Sequence, residues 1–372
     1  MKYIVTESQY KKLNEEVGVP TNIVKIAQKL FDKIMSKLKP NVNLGIFLHK
    51  PITLKGDFQI NDYKFDTIKV TFNADSLDDY HVNDDSGKKV YLLGMTHVSS
   101  VEMTDDFNYV ANRKMHKIDL KINIAIDNDI TAQDLIDEFN KERTVLVSSL
   151  AHEIKHAYDE FADPKLNTEK RVDYNIGSQR RFGDITPLNT LLSYMYFAHN
   201  TENLVRATEI FTALEEEGIT KGEFYNFLTN HKVYENYRRG ANLTYENLKK
   251  DLKSMVPKIK ETFDDNDIDY DENASDDEIV EMVLIQFFNI LLQWKASDMK
   301  QYLTKNMFES VFGLSEEKQK RFERYLDKIT RFGGNYENFF NYEINKIRNI
   351  CLKMTKKLSK LYSLLKEKNN PL

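Results

Sequence analysis

Two histidines one helical turn apart are the feature that most constrains this chain. Residues 152–156 read His-Glu-Ile-Lys-His, the pattern HExxH. Side chains four residues apart lie one above the other on an α-helix, so His152 and His156 can direct both imidazoles at one cation. Glu153 is turned about 100° around the helix, where a carboxylate can reach a water on that cation without binding the metal. The pattern predicts a Zn²⁺ site with hydrolytic chemistry and Glu153 as its general base.

The segments on either side of the motif favour this interpretation. Between residues 117 and 126 every second residue is apolar, which is the period of a half-buried strand. From 142 to 161 apolar residues recur at steps of three and four, so this segment is predicted to be a helix with one face towards a core. The alternative is a solvated helix face that carries its histidines by chance, and it accounts for neither flank.

A third ligand is expected downstream, because catalytic zinc sites usually take three protein ligands and keep one position for water. Glu202 is the candidate. It lies in segment 194–207, which is predicted to be helical with an interruption or cap near Asn200 and Thr201. Arg206 follows one turn after Glu202 and could brace its carboxylate. The alternative third ligands are His199, Glu209 and Asp184.

Tyrosines near the motif are candidates for a supporting role. A phenol hydroxyl can stabilise the oxyanion of a tetrahedral intermediate or hold a metal ligand from behind. Tyr158, Tyr194 and Tyr196 are placed for such a role, as is the guanidinium of Arg206. The alternative for each tyrosine is simple packing, since the chain contains 20 of them.

Taken together, these residues resemble the gluzincin class of zinc metallopeptidases, in which HExxH on one helix is completed by a glutamate on a later helix. The resemblance covers about residues 115 to 210. It implies that His152, His156 and Glu202 bind one Zn²⁺ per chain. It also implies that Glu153 is the general base and later the proton donor, and that the substrate is a peptide or protein.

The chain departs from the gluzincin pattern at two positions. Interior positions of the motif are usually uncharged, yet here one is Lys155. Thermolysin-like members carry an acidic residue four after the ligand glutamate, where this chain has Arg206. The metzincin pattern is excluded, because Asp159 and Ala162 stand where it needs glycine and a third histidine. The resemblance is therefore to a gluzincin outside the thermolysin group.

Composition excludes several other classes. With 41% hydrophobic and 30% charged residues, the 372-residue chain is typical of a globular protein. A net charge of −5 does not favour nucleic acid as the main partner. Cys351 is the only cysteine, which rules out an intrachain disulfide and a cysteine-based zinc site.

Localisation is predicted from apolar segments and from the opening of the chain. We expect no membrane span, because no stretch has the eighteen or so apolar residues that one needs. Residues 1–8 lack the pattern of a classical secretory signal, which predicts a cytoplasmic location. The opening is also similar to the starts of uncharacterised proteins of large tailed bacteriophages. That similarity implies the host cytoplasm or a particle assembled there.

An α+β fold in three regions is expected. Residues 1–43 are predicted to form an N-terminal helical segment, with a helix from Thr21 to about Leu38. Residues 44–210 are predicted to form a zincin-like core of mixed sheet, HExxH helix and ligand-glutamate helix, and residues 211–372 an all-helical C-terminal domain. The expected strands of the core include 45–48, 58–60 and 67–72. The edge of such a sheet can hold an extended peptide beside the metal.

The last predicted helix has heptad spacing. Apolar residues between Phe340 and Leu365 alternate steps of four and three, the spacing of a knobs-into-holes seam. One interpretation is self-association or partner docking through 335–366. The other is packing on the apolar segment 279–294 of the same chain.

The predicted function is that of a zinc metalloendopeptidase. Two alternatives remain open at the level of sequence. One is a non-catalytic structural or cargo protein of a phage particle that keeps the zincin fold. The other is an intracellular peptidase effector that acts on one target protein.

Overall fold

The computed structural model describes most of the chain. It covers residues 21–60, 63–80, 88–98, 117–162, 185–198, 200–220, 222–265, 268–308 and 335–369, with a few single residues from 320 to 332. The opening residues 1–8 and two of the alternative ligands, Asp184 and His199, lie outside these ranges.

The described residues form a mixed α+β protein that is mostly helical. The elements follow in chain order: α1 (Thr21–Lys37), α2 (Leu44–His49), β1 (Ile52–Ile60), β2 (Tyr63–Ser76), a 3₁₀ turn (Leu77–Tyr80), β3 (Val90–Val98), β4 (Lys117–Ile126), α3 (Ala132–Lys141), α4 (Arg143–Ala162), α5 (Thr186–Phe197), α6 (Asn200–Glu216), α7 (Phe224–Asn230), α8 (Lys232–Asn242), α9 (Tyr245–Lys253), α10 (Val256–Asp265), α11 (Asp276–Phe308) and α12 (Tyr336–Asn369).

These elements belong to two compact units. The first contains the sheet, α1 to α4, all of α6 after its first turn, α7 and the end of α12. The second contains α5, the first turn of α6, α8 to α11 and most of α12. The boundary near residue 203 therefore falls inside one continuous helix, α6.

The four described strands form a mixed sheet in the order β1-β2-β4-β3. β1 and β2 are antiparallel, β2 and β4 are parallel, and β4 and β3 are antiparallel. β4 shows the predicted alternation, since Ile118, Leu120, Ile122 and Ile124 are all buried. Ile122 lies opposite Phe72 of β2 in the parallel ladder. β3 is left at the edge, paired to β4 alone among the described strands.

Helices α1 and α4 share one hydrophobic core with this sheet. The apolar side of α1, including Leu30 and Ile34, is buried as its spacing predicts. In α4 the predicted stripe is fully buried at Val147, Leu150 and Ile154. The predicted helix at 142–161 is thus confirmed, and it packs against α1 and β3.

The predicted strand at 45–48 is wrong, because this segment lies in helix α2. Asn43 caps the helix through its side-chain oxygen, which accepts a hydrogen bond from the N–H of Ile46 at 3.1 Å. Phe47 and Leu48 are buried, whereas Ile46 is 63% exposed. A short apolar run fits a strand and a helical turn equally well, and here the cap and the buried pair favour the helix. The other two expected strands, 58–60 and 67–72, lie in β1 and β2.

In the second unit the first turn of α12 packs on α11. The rings of Phe288 and Phe339 meet edge to face with centroids 5.9 Å apart. The Tyr336 hydroxyl donates to Asn289 Oδ1 at 2.8 Å. Phe340, Ile344, Ile347, Cys351 and Met354 are buried. The start of α12 thus packs on segment 279–294, whereas the seam residues Phe340 and Ile347 contact α9 and α8. Docking through 335–366 stays a prediction.

Among the described residues, none of the helices combines the length and the apolar character that crossing a bilayer requires.

Candidate metal centre

Helix α4 brings the two histidines of the motif together. Their rings are edge to face, with centroids 4.7 Å apart. His152 and His156 are 6% and 4% exposed, so both lie inside the protein. They are beside the apolar stripe of α4, which anchors the helix to the core. The spacing of four residues therefore produces the predicted histidine pair.

Glu202 completes the cluster from the first turn of α6. One ligand atom each from His152, His156 and Glu202 lies within 4.8 Å of the others, and all three residues are buried. Two imidazoles and a carboxylate form a donor set typical of catalytic zinc. The structure thus provides a site that can hold a metal ion.

Two tyrosine hydrogen bonds stabilise the break between helices α5 and α6, just before Glu202. Helix α5 ends at Phe197 and α6 starts at Asn200, as the sequence predicts. The Tyr237 hydroxyl donates to the carbonyl of Phe197 at 2.7 Å, which satisfies an acceptor that the helix end leaves open. The Tyr196 hydroxyl donates to Glu202 Oε1 at 2.6 Å. Tyr196 therefore donates directly to the candidate ligand carboxylate.

Glu209, one of the alternative ligands, lies behind His152. Its Oε2 is 3.1 Å from His152 Nδ1, and Arg206 Nη1 donates to the same oxygen at 2.7 Å. Burial alone would raise the pKa of Glu209, but Arg206 and His152 outweigh it and lower that pKa to about 2. An ionised carboxylate on Nδ1 would direct Nε2 of His152 towards a bound cation. Arg206, predicted to brace Glu202, thus binds the carboxylate that supports His152.

Glu153 is held by a residue that the sequence did not reveal. Its Oε2 accepts hydrogen bonds from the backbone N–H and the Nδ1 of His97, both at 3.0 Å. Its other oxygen, Oε1, lies 3.8 Å from His152 Nε2. Burial raises the pKa of Glu153, but the His97 hydrogen bond and the nearby histidine charges outweigh it, so the pKa is lowered. Glu153 is therefore a buried, ionised carboxylate next to the candidate metal ligands.

Lys155, a departure from the gluzincin pattern, is buried in an ion pair. Its ammonium bonds the carboxylate of Asp159 one turn later on α4. The same ammonium lies 5.6 Å from the ring centre of Tyr158. A charge inside the motif is tolerated because the helix carries its partner at the i,i+4 position.

Tyr158 and Tyr194 both have packing roles. Tyr158 is 8% exposed beneath the Lys155 ammonium. Tyr194 of α5 packs on Gly240 of α8, where an added Cβ would lie 2.9 Å from the Tyr194 Cγ. Burial raises the pKa of Tyr194. The oxyanion role predicted for these two residues stays a prediction.

Sequence reasoning missed His97 and the role of Glu209. His97 is 56 residues from Glu153 in the chain, and no spacing rule joins them. Glu209 lies seven residues after Glu202, so both fall on one side of α6. That helical spacing is the signal that could have predicted Glu209 to lie beside the candidate metal ligands without being one of them.

No protein-family model, curated protein or solved structure matches this chain.

Proposed function

We propose that this protein is a zinc-dependent peptidase. The observation that carries the proposal is the buried cluster of His152, His156 and Glu202, with one ligand atom of each within 4.8 Å of the others. Buried imidazoles with one carboxylate are the ligands of catalytic zinc sites that keep a position for water. When bound, zinc would supply a Lewis acid for that water and for the carbonyl of the substrate.

Glu153 is the proposed general base. Its Oε1 lies 3.8 Å from His152 Nε2, the nitrogen that Glu209 leaves for the cation. A lowered pKa keeps the carboxylate ionised and able to accept a proton. Glu153 takes the proton of the attacking water and then delivers it to the leaving amine nitrogen. The carboxylate is thereby regenerated for the next cycle.

The edge strand β3 supports an extended peptide as the substrate. In an antiparallel strand each N–H points either to the neighbouring strand or away from it. The N–H of His97 bonds Glu153, so it points away from β4. The outer edge of β3 therefore faces the motif. A peptide added along that edge would bring one of its carbonyl groups next to the HExxH residues.

The architecture supports placing this chain with the gluzincins. A mixed sheet, a motif helix packed on its edge strand and a glutamate on a later helix are the parts that the resemblance implies. Lys155 and Arg206 depart from the usual pattern, but both charges have carboxylate partners.

The test compares wild type with Glu153→Gln on a library of quenched fluorescent peptides, with zinc content measured on each sample. We expect cleavage by wild type and a loss of about 100-fold or more in Glu153→Gln at equal zinc content, the usual contribution of a general base. Glu235→Gln is the matched control, because Glu235 pairs with Arg239 on a surface turn of α8. Its activity should equal that of wild type.

Three outcomes would contradict the proposal, and two of them would favour another function. Equal cleavage by wild type and Glu153→Gln would show that Glu153 is not the base. Zinc binding with no cleavage would favour the non-catalytic structural or cargo protein. Cleavage of one folded protein and none of the peptides would favour the effector.

A further inference from the structure

His97 makes two hydrogen bonds to a single oxygen of the proposed base. Its backbone N–H and its ring Nδ1 both lie 3.0 Å from Glu153 Oε2. An ionised carboxylate can only accept hydrogen bonds, so Nδ1 must carry the hydrogen in this arrangement. One oxygen of Glu153 is thereby engaged twice by the same residue.

We propose that His97 is a positioning residue that decides which oxygen of Glu153 receives the proton. This proposal rests on the proposed function. Because His97 occupies Oε2, Oε1 is the oxygen directed towards the metal ligands, 3.8 Å from His152 Nε2. Without the His97 ring only the backbone N–H of residue 97 would hold Oε2, so the Glu153 carboxylate would reorient more readily and spend less time in the reactive geometry.

The surroundings of His97 make it a rigid support. β3 is paired to β4 at this point, with His97 opposite Leu120. The His97 ring stacks on the ring of His156, with centroids 5.4 Å apart and planes inclined by 23°. Its side chain is 14% exposed. A donor fixed by a strand on one side and a ligand ring on the other loses little entropy when it binds Glu153.

Two substitutions separate the hydrogen bond from the packing of the ring. His97→Phe keeps the backbone N–H and a ring that can stack on His156, but removes the ring donor. His97→Asn loses the ring but can place an amide donor near the position of Nδ1. If His97 acted only by packing, Phe would be the milder change; if it positions Glu153, Asn would be.

The activity measurement uses zinc-loaded full-length protein. We expect His97→Phe to lower kcat by about 10- to 100-fold, the effect of a lost hydrogen bond to a charged group, with KM and zinc content unchanged. His97→Asn should recover most of the loss. His49→Phe is the control, because His49 is an exposed histidine that bonds only within its own helix turn in the described contacts. Equal kcat in wild type and His97→Phe would overturn the proposal.

A second measurement does not depend on catalysis. A double-mutant cycle of His97→Phe and Glu153→Ala is followed by urea unfolding of the zinc-loaded protein. The two residues should be coupled, so that the unfolding constant of the double variant differs from the product of the single effects by about threefold or more. Additive effects would overturn the proposal whatever the activity. If His97→Phe does not fold, His97→Ala takes its place in the cycle.

The two measurements also separate the failure of this proposal from the failure of the proposed function. If wild type cleaves nothing and the cycle shows coupling, the peptidase proposal fails while His97 still fixes the Glu153 carboxylate. If Glu153→Gln abolishes cleavage and His97→Phe does not reduce it, the peptidase proposal stands and His97 has no positioning role.

Discussion

Removal of Glu209 should weaken zinc binding although Glu209 is not among the three clustered ligands. Its Oε2 lies 3.1 Å from Nδ1 of His152 and is also bound by Arg206. A carboxylate in this position fixes the orientation of the imidazole and makes it a better ligand. In Glu209→Ala the ring of His152 loses that support, and Arg206 loses a carboxylate partner.

The expected size of the effect follows from burial. The side chains of His152 and Glu209 are only 7% and 11% exposed, so water cannot readily take the place of the carboxylate. Loss of a second-sphere partner costs about 10- to 100-fold in metal affinity. We expect the upper part of this range, about 30- to 100-fold or about 2 to 2.7 kcal/mol of binding free energy.

The assay is competition for zinc between the protein and a chelator of known affinity. The matched control is Glu216→Ala on the same helix. Glu216 has a 5% exposed side chain and pairs with Arg143 at 2.9 Å, but it is not part of the metal cluster. Both variants should lower the free energy of unfolding, and only Glu209→Ala should raise the Kd for zinc. Equal zinc affinity in Glu209→Ala and wild type would refute the orienting role of Glu209.

Three further predictions concern the metal and the core around it. Purified wild type should bind about one zinc per chain and His156→Ala should bind none after dialysis against a weak chelator; elemental mass spectrometry checks this, and zinc-free wild type would contradict it. Ile154→Ala should lower the free energy of urea unfolding by about 2–5 kcal/mol, because Ile154 is fully buried beside the motif; a loss below about 1 kcal/mol would mean that the core collapses around the cavity. Asp159→Ala should lower the free energy of unfolding by about 3–5 kcal/mol, because it leaves the buried Lys155 ammonium without this carboxylate. Lys155→Met/Asp159→Leu should instead unfold close to the wild-type urea midpoint, and the reverse order would show that the ion pair itself stabilises the helix.

The parts of the site that come from one helix could be predicted from the sequence. His152 and His156 are brought together by the helical period alone, and Glu153 is placed beside them by the same geometry. Glu202 was the predicted third ligand, and in the structure one of its carboxylate oxygens lies within 4.8 Å of a ring nitrogen of each histidine. Whether these residues bind zinc and catalyse hydrolysis stays a prediction.

Local pattern failed where two structures fit the same residues. The apolar run at 45–48 was predicted to be a strand, yet it is part of helix α2. Four residues are too few to show a period, and the Asn43 cap together with burial of Phe47 and Leu48 favours the helix. In contrast, the ten residues of β4 alternate over their full length, and that strand is confirmed.

The sequence by itself determined the α+β class, the motif helix, the alternating strand before it and the break before Glu202. These depend on the periods of helix and strand and on helix ends, which act over only a few neighbouring residues. Only the tertiary structure decided that β3 lies beyond β4 at the sheet edge, that His97 meets Glu153, and that Glu209 supports His152. Such contacts join distant parts of the chain through sheet order and helix packing, and no local period records them.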